Sequence, residues 1–239
     1  MCHSDASRPP AAPGAVAAGG DSPLELRSAD GTRVLAHGAR PTTPSGIGIL
    51  VLPDVRGLHD YYRQLAVRFA ETGAEAVAID WFGRTAHDDD RSEDFAFRPH
   101  VDQTTPEGIA ADVAAGVAQL RARGASRIFT VGFCFGGGCS WRQSAETEGL
   151  VGCVGFYGRP SLVTDAVDRM RAPLLMLVAG ADANLPLADT EALATAAGAQ
   201  VPVEMVVFDG APHSFFDRSF AEHQAACARA WDEIQRFTA

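Results

Sequence analysis

The chain has 239 residues, 46% of them apolar and 21% charged, and its 30 acidic against 20 basic side chains leave a net charge of −10. Such a length supports one folded domain, and the acid excess provides no basic stripe for a nucleic-acid partner. No apolar run approaches the roughly 20 residues that cross a bilayer, so neither nucleic acid nor membrane is an expected partner.

Residues 1–22 are rich in Ala, Pro and Gly and read as a flexible tail ahead of a single domain over 23–239. Arg8 is the one basic residue before the alanines, and Pro9, Pro10 and Pro13 interrupt the apolar stretch that a secretory signal would need. The cysteines, Cys2, Cys134, Cys139, Cys153 and Cys227, are odd in number and form no C-x-x-C pair. That pattern points away from a disulfide framework or structural zinc and toward a reducing cytoplasm.

Two short β segments, 24–27 and 33–37, precede a buried-strand run at 47–52. A helix over 61–71 ends near Gly73 and leads to a strand at 76–79, followed by a long polar loop. The next helix is marked by Thr105-Pro106-Glu107, in which Thr105 caps and Pro106 suits the first helical position. Ile109, Val113, Val117 and Leu120 form its apolar face, and Gly124 stops it. Then come a strand at 128–131, a helix from about Phe135, a strand at 151–156, a short helix near 162–170 and a strand at 174–178. A helix near 187–197, a strand at 203–208 and a closing helix with Phe220, Cys227, Trp231 and Ile234 on one face complete the chain. This alternation predicts an α/β fold, a mostly parallel central sheet with helices on both faces and active residues in loops at strand carboxyl ends.

The strand at 128–131 runs into Gly132-Phe133-Cys134-Phe135-Gly136-Gly137 at the start of a helix. A side chain thrown forward from so sharp a turn needs glycine two positions away on either side, because strand and helix backbones nearly touch. At a helix N-terminus Cys134 also meets the positive end of the helix dipole, which favours a thiolate nucleophile. Asp182 follows the strand at 174–178 and His213 follows the strand at 203–208. Nucleophile, acid, histidine is the chain order of α/β-hydrolases, which predicts that fold and a triad in which Asp182 orients His213 and His213 serves Cys134. The oxyanion donors expected beside it are the backbone N–H of Phe135 and that of Val55, in the loop after the third strand. Taken singly, Cys134 could be a packed core thiol, Asp182 a turn former and His213 a loop residue; their order is what joins them.

Three blocks resemble the dienelactone hydrolase family, the cysteine-nucleophile branch of the α/β-hydrolases: Leu-Pro-Asp54-Val-Arg-Gly-Leu, Asp80-Trp-Phe-Gly-Arg84, and the Cys134, Asp182 and Gly-Ala-Pro-His213-Ser-Phe regions. The resemblance implies cofactor-independent opening of an enol lactone or related small ester, with no metal. It further implies that Asp54 stands where the family carries a glutamate paired with the resting cysteine, and that Arg84 matches an arginine holding the substrate carboxylate. Tyr157 matches an aromatic position near the pocket. The family's second arginine lies four residues after the histidine; here that position is Asp217, and the arginine is Arg218.

The expected protein is therefore a monomeric or homodimeric hydrolase of a small-molecule lactone or ester, working through a Cys134 thioester. An acyltransferase or cyclase could use the same acyl-enzyme, and a binding protein could keep the scaffold without turnover. A glutamine-amidotransferase elbow also uses G-x-C-x-G, but its His-x-Glu pair is missing around His213. The polar run His87-Asp88-Asp89-Asp90 reads as a solvated loop rather than a metal site.

Overall fold

The computed structural model describes residues 4–217 and 221–239. Eight strands form one sheet: β1 (Ala18–Arg27), β2 (Arg33–Pro41), β3 (Ile47–Leu52), β4 (Glu75–Ile79), β5 (Arg127–Phe133), β6 (Gly152–Phe156), β7 (Leu174–Ala179) and β8 (Val203–Phe208). Their order is β1-β2-β4-β3-β5-β6-β7-β8. β1 and β2 pair antiparallel, as do β2 and β4, and every later pairing is parallel.

The helices are α1 (Asp60–Ala70), α2 (Arg98–Val101), α3 (Pro106–Ala122), α4 (Phe135–Glu146), α5 (Leu187–Gly198) and α6 (Gln224–Thr238). Side chains alternate strictly along the central strands. Ile49 and Val51 of β3, with Phe129, Val131 and Phe133 of β5, face a core completed by Tyr61, Leu65 and Phe69 of α1 and Trp231 and Ile234 of α6. Leu50 and Leu52 face the opposite core, with Ile109, Val113 and Leu120 of α3 and Trp141 of α4. Burial on both faces is why these strands read as continuous apolar runs rather than as alternating ones. α3 begins as expected, with the Thr105 hydroxyl accepting the Gly108 N–H at 3.1 Å and Pro106 at the first turn.

The differences from expectation lie at the edges. β1 and β2 extend well beyond 24–27 and 33–37, because the register from Ala18↔Pro41 to Arg27↔Arg33 carries ladder bonds through small and polar residues that give no hydrophobic signal. The helix near 162–170 is two short 3₁₀ turns, Pro160–Leu162 and Thr164–Arg169. On α6, Cys227, Trp231 and Ile234 are buried together, whereas Phe220 lies outside the described residues.

The flexible-tail reading of 1–22 needs correction from Ser4 onward. Ser7, Pro9, Pro10 and Ala12 are buried, the Trp231 indole N–H donates to the Pro10 carbonyl at 3.1 Å, and the Val16 N–H donates to the Glu71 carbonyl at 2.9 Å. A proline-rich segment of low hydrophobicity is ordered here because α6 and α1 present it with both an apolar surface and donors to satisfy. Among the described residues no helix is long and apolar enough to cross a membrane.

Candidate active site

Cys134 occupies the single residue between β5 and α4, with φ 56° and ψ −113°. A side chain in this left-handed region is strained, and it persists only where the surrounding backbone dictates it. The Cys134 N–H donates to the Phe156 carbonyl of β6 at 3.0 Å, and the Cys134 carbonyl accepts the N–H groups of Gly137 and Gly138 at 3.0 and 3.2 Å. The flanking glycines are obligatory: a Cβ on Gly132 would stand 1.9 Å from the Gly136 carbonyl oxygen, and one on Gly136 would stand 2.2 Å from the carbonyl oxygens of both Leu52 and Pro53. The turn therefore projects a half-buried thiol from the carboxyl end of the sheet.

The other described cysteines differ in kind. Burial pushes the thiols of Cys139 and Cys153 up to about 12 and that of Cys227 up to about 11. They are packing residues, inert as nucleophiles.

Asp182 sits in the turn after β7 and His213 in the loop after β8, and the Ala181 N–H to Ala211 carbonyl bond, 2.9 Å, ties those loops together. One Asp182 oxygen accepts the Asn184 N–H at 2.9 Å. The other lies 2.5 Å from His213 Nδ1. A carboxylate here can only accept, so Nδ1 carries the proton and Nε2 is left as the basic nitrogen. The Asp182 side chain is 2% exposed against 20% for His213, so the acid is sealed in while the imidazole still reaches solvent.

Tyr157, buried and with φ 36°, ends β6 and lays its ring against His213 at 4.8 Å between centroids. Its other side packs on Phe133, Phe156 and Phe215. The family resemblance implied a place near the pocket for Tyr157; its ring contacts the imidazole of His213.

The Phe135 N–H, at the first position of α4, has no acceptor within its own helix. The tight contact of Gly136 with the Leu52 and Pro53 carbonyls brings the start of the loop after β3 to the same helix end. The Gly57 N–H to Asp54 carbonyl bond, 3.2 Å, closes that turn, and the Trp81 indole N–H reaches the carbonyls of Pro53 and Asp54, both at 3.2 Å. Asp54 is fully buried; Oδ1 accepts the Arg56 N–H at 2.8 Å, while Oδ2 has no hydrogen-bond partner among the described residues. A buried carboxylate oxygen without a donor is costly, and it stands ready to accept one.

Arg84, expected to hold a substrate carboxylate, is engaged by two acids of this chain. Arg84 donates to Asp112 Oδ2 at 2.6 Å and to Asp30 Oδ2 at 2.9 Å. Asp112 is itself buried and bonded by the Ser28 hydroxyl, and burial pushes its carboxyl up against the pull of Arg84 and Ser28. A substrate carboxylate would have to displace both acids to reach Arg84. Arg218 lies outside the described residues. Asp217 is fully buried, with Oδ1 accepting the Arg8 N–H at 3.1 Å.

Three contributors had no sequence signal of their own: Asn184, whose amide fixes Asp182; Trp81, which holds the loop after β3; and Asp5, which reaches His59 Nε2 at 2.7 Å and Arg56 at 3.3 Å. Among the described residues no group of three or more His, Cys, Asp or Glu side chains is arranged to hold a metal ion.

Residues 34–239 match the model of the dienelactone hydrolase family. A Saccharolobus solfataricus protein named "Putative carboxymethylenebutenolidase" is 22% identical over 244 residues, covering 87% of this chain and 94% of the relative. A Bradyrhizobium protein named "Probable 2-oxo-3-(5-oxofuran-2-ylidene)propanoate lactonase" is 27% identical over 222 residues, covering 85% of this chain and 88% of its own. Among solved structures, a "Putative Dienelactone Hydrolase" from Klebsiella pneumoniae superposes with a TM-score of 0.78 at 25% identity, covering 92% of this chain and 98% of that one. With the family model spanning all but the N-terminal segment and first strand, and with relatives aligned along nearly their whole lengths, the chain belongs to the dienelactone hydrolase family of hydrolases and has the α/β-hydrolase fold.

Proposed function

We propose that the protein opens a lactone or small ester by nucleophilic catalysis at Cys134. The observation that supports this most is the 2.5 Å Asp182–His213 contact, with Tyr157 packed on that imidazole and the neighbouring Phe156 carbonyl accepting the amide of Cys134, itself held at φ 56° on a helix N-terminus. The Cys134 thiol passes its proton to His213 Nε2, the thiolate adds to the carbonyl carbon, and the oxyanion formed is received by the N–H groups of Phe135 and Val55. The tetrahedral intermediate collapses by breaking the C–O bond to the alcohol or enol, which takes its proton from His213 Nε2. His213, neutral again, removes a proton from water; hydroxide adds to the thioester, and the thiolate leaves as the acid forms. Asp182 keeps Nδ1 protonated throughout and stabilises the transient imidazolium.

Enols and activated alcohols leave more readily than thiolate from such an intermediate, whereas an amine does not, so lactones and esters suit this nucleophile better than amides. In this reading the unpartnered Asp54 Oδ2 is the acceptor that a resting Cys134 thiol uses until substrate enters. Replacement Cys134→Ala should lower kcat/KM toward aryl esters and enol lactones by roughly a thousandfold or more, with the fold retained. Full activity in that variant would end the proposal.

A further inference from the structure

With Arg84 held by two carboxylates, a different arginine is exposed in the loop after β6 that also carries Tyr157. Arg159 is exposed and its guanidinium has no acceptor among the described residues, unlike Arg84, Arg91 and Arg142, each of which is held by a buried or neighbouring carboxylate. It borders a cleft of about 660 Å³ between the loops after β6 and β7, whose walls include Pro160, Leu185, Pro186 and Leu193 with Asn184 and Ser161. That size is typical of a small-molecule site, and a few polar groups on an apolar lining are its usual composition.

Each wall of the cleft carries a residue close in the chain to the catalytic group: Asn184 two residues after Asp182, and Arg159 two residues after Tyr157. The Asn184 amide holds Asp182. Tyr157, whose ring packs on His213, follows Phe156, the last residue of β6, whose carbonyl accepts the Cys134 amide. A Cβ on Gly138, in the first turn of α4, would stand 2.9 Å from the Arg159 carbonyl oxygen, so this backbone abuts the helix that carries the nucleophile. Asp189 is the cleft's one carboxylate; it sits in the first turn of α5, where the helix N-terminus favours a negative charge.

We infer that this cleft receives the acyl portion of the substrate and that Arg159 determines specificity by binding an anionic group at the far end of an aliphatic chain. The inference rests on the thiol-hydrolase reading above. Its chemistry is a charge-assisted pair between the guanidinium and a carboxylate, formed over an apolar floor of prolines and leucines.

The test compares two acyl groups of equal length, 4-nitrophenyl hexanoate and the mono-4-nitrophenyl ester of adipic acid, in the wild type, Arg159→Gln and Arg159→Lys. The ratio of kcat/KM for the half-ester to that for the hexanoate should fall about tenfold in Arg159→Gln, through KM rather than kcat, and recover in part in Arg159→Lys. An unchanged ratio in Arg159→Gln overturns the inference while leaving the hydrolase reading intact. Binding of the same half-ester to Cys134→Ala, with and without Arg159→Gln, separates the two claims: weaker binding without Arg159 supports the cleft even if the wild type turns over neither ester, a result that would refute the hydrolase reading alone. Equal affinity in both overturns the cleft assignment.

Discussion

The loops after β4 and β5 each deliver one chemically pointed residue, Arg84 and Cys134, yet the two end in opposite roles. After β5, Cys134 is pinned by main-chain contacts: its own N–H and carbonyl are both bonded, and two glycines admit carbonyl oxygens where any Cβ would collide. After β4, Arg84 sits on a long flexible stem, and its position is decided by Asp30 and Asp112, acids distant in sequence that reach it from other elements. The difference teaches that backbone-enforced placement transfers with the fold, whereas the destination of a long charged side chain depends on whichever opposite charges the rest of the chain supplies.

Variants can sharpen that contrast. The largest effect belongs to the backbone-placed group: Asp182→Asn removes the acceptor that fixes the His213 tautomer and should lower kcat by at least about a hundredfold, with little change in KM. A loss below about fivefold would mean that His213 does not depend on this partner.

Deleting residues 2–13 probes the segment expected to be a tail. The Trp231 indole and the Asp217 carboxylate each lose a partner, so stability should fall by about 2 kcal/mol, a drop in Tm of several degrees. An unchanged Tm would return that segment to the status of a free tail.

The smallest effect on turnover is assigned to Arg84. Arg84→Gln leaves the buried Asp112 without its ion-pair partner and should lower stability by about 2 kcal/mol. Activity of the folded fraction toward anionic and neutral esters alike should stay within about twofold, measured at equal folded concentration. A selective loss for anionic substrates would restore Arg84 as a carboxylate-binding residue.

Much of this architecture was legible in the residues because parallel strands buried on both faces are apolar throughout, and the cap at Thr105 and the glycine-bounded turn at Cys134 have few other uses. The order Cys134, Asp182, His213 placed three residues at strand ends without any knowledge of distance. What the residues did not disclose depends on partners far away in the chain. β1 and β2 are lengthened by their mutual ladder rather than by apolar content, and the ordering of Pro9, Pro10 and Ala12 depends on Trp231 near the other end of the chain. The partnering of Arg84, and the lack of an acceptor for the Arg159 guanidinium among the described residues, follow from where acids happen to fall in space, which spacing along the chain does not encode.

Catalysis by Cys134 requires a covalent intermediate at one sulfur. Rapid quenching in acid after mixing with an activated ester, followed by peptide mapping by mass spectrometry, should find one acyl group on the peptide that contains Cys134, at a level that rises when His213 is replaced by a residue unable to activate water. Acylation of Cys139, Cys153 or Cys227 instead, or turnover of the ester with no acyl group on Cys134 at any time, would contradict it.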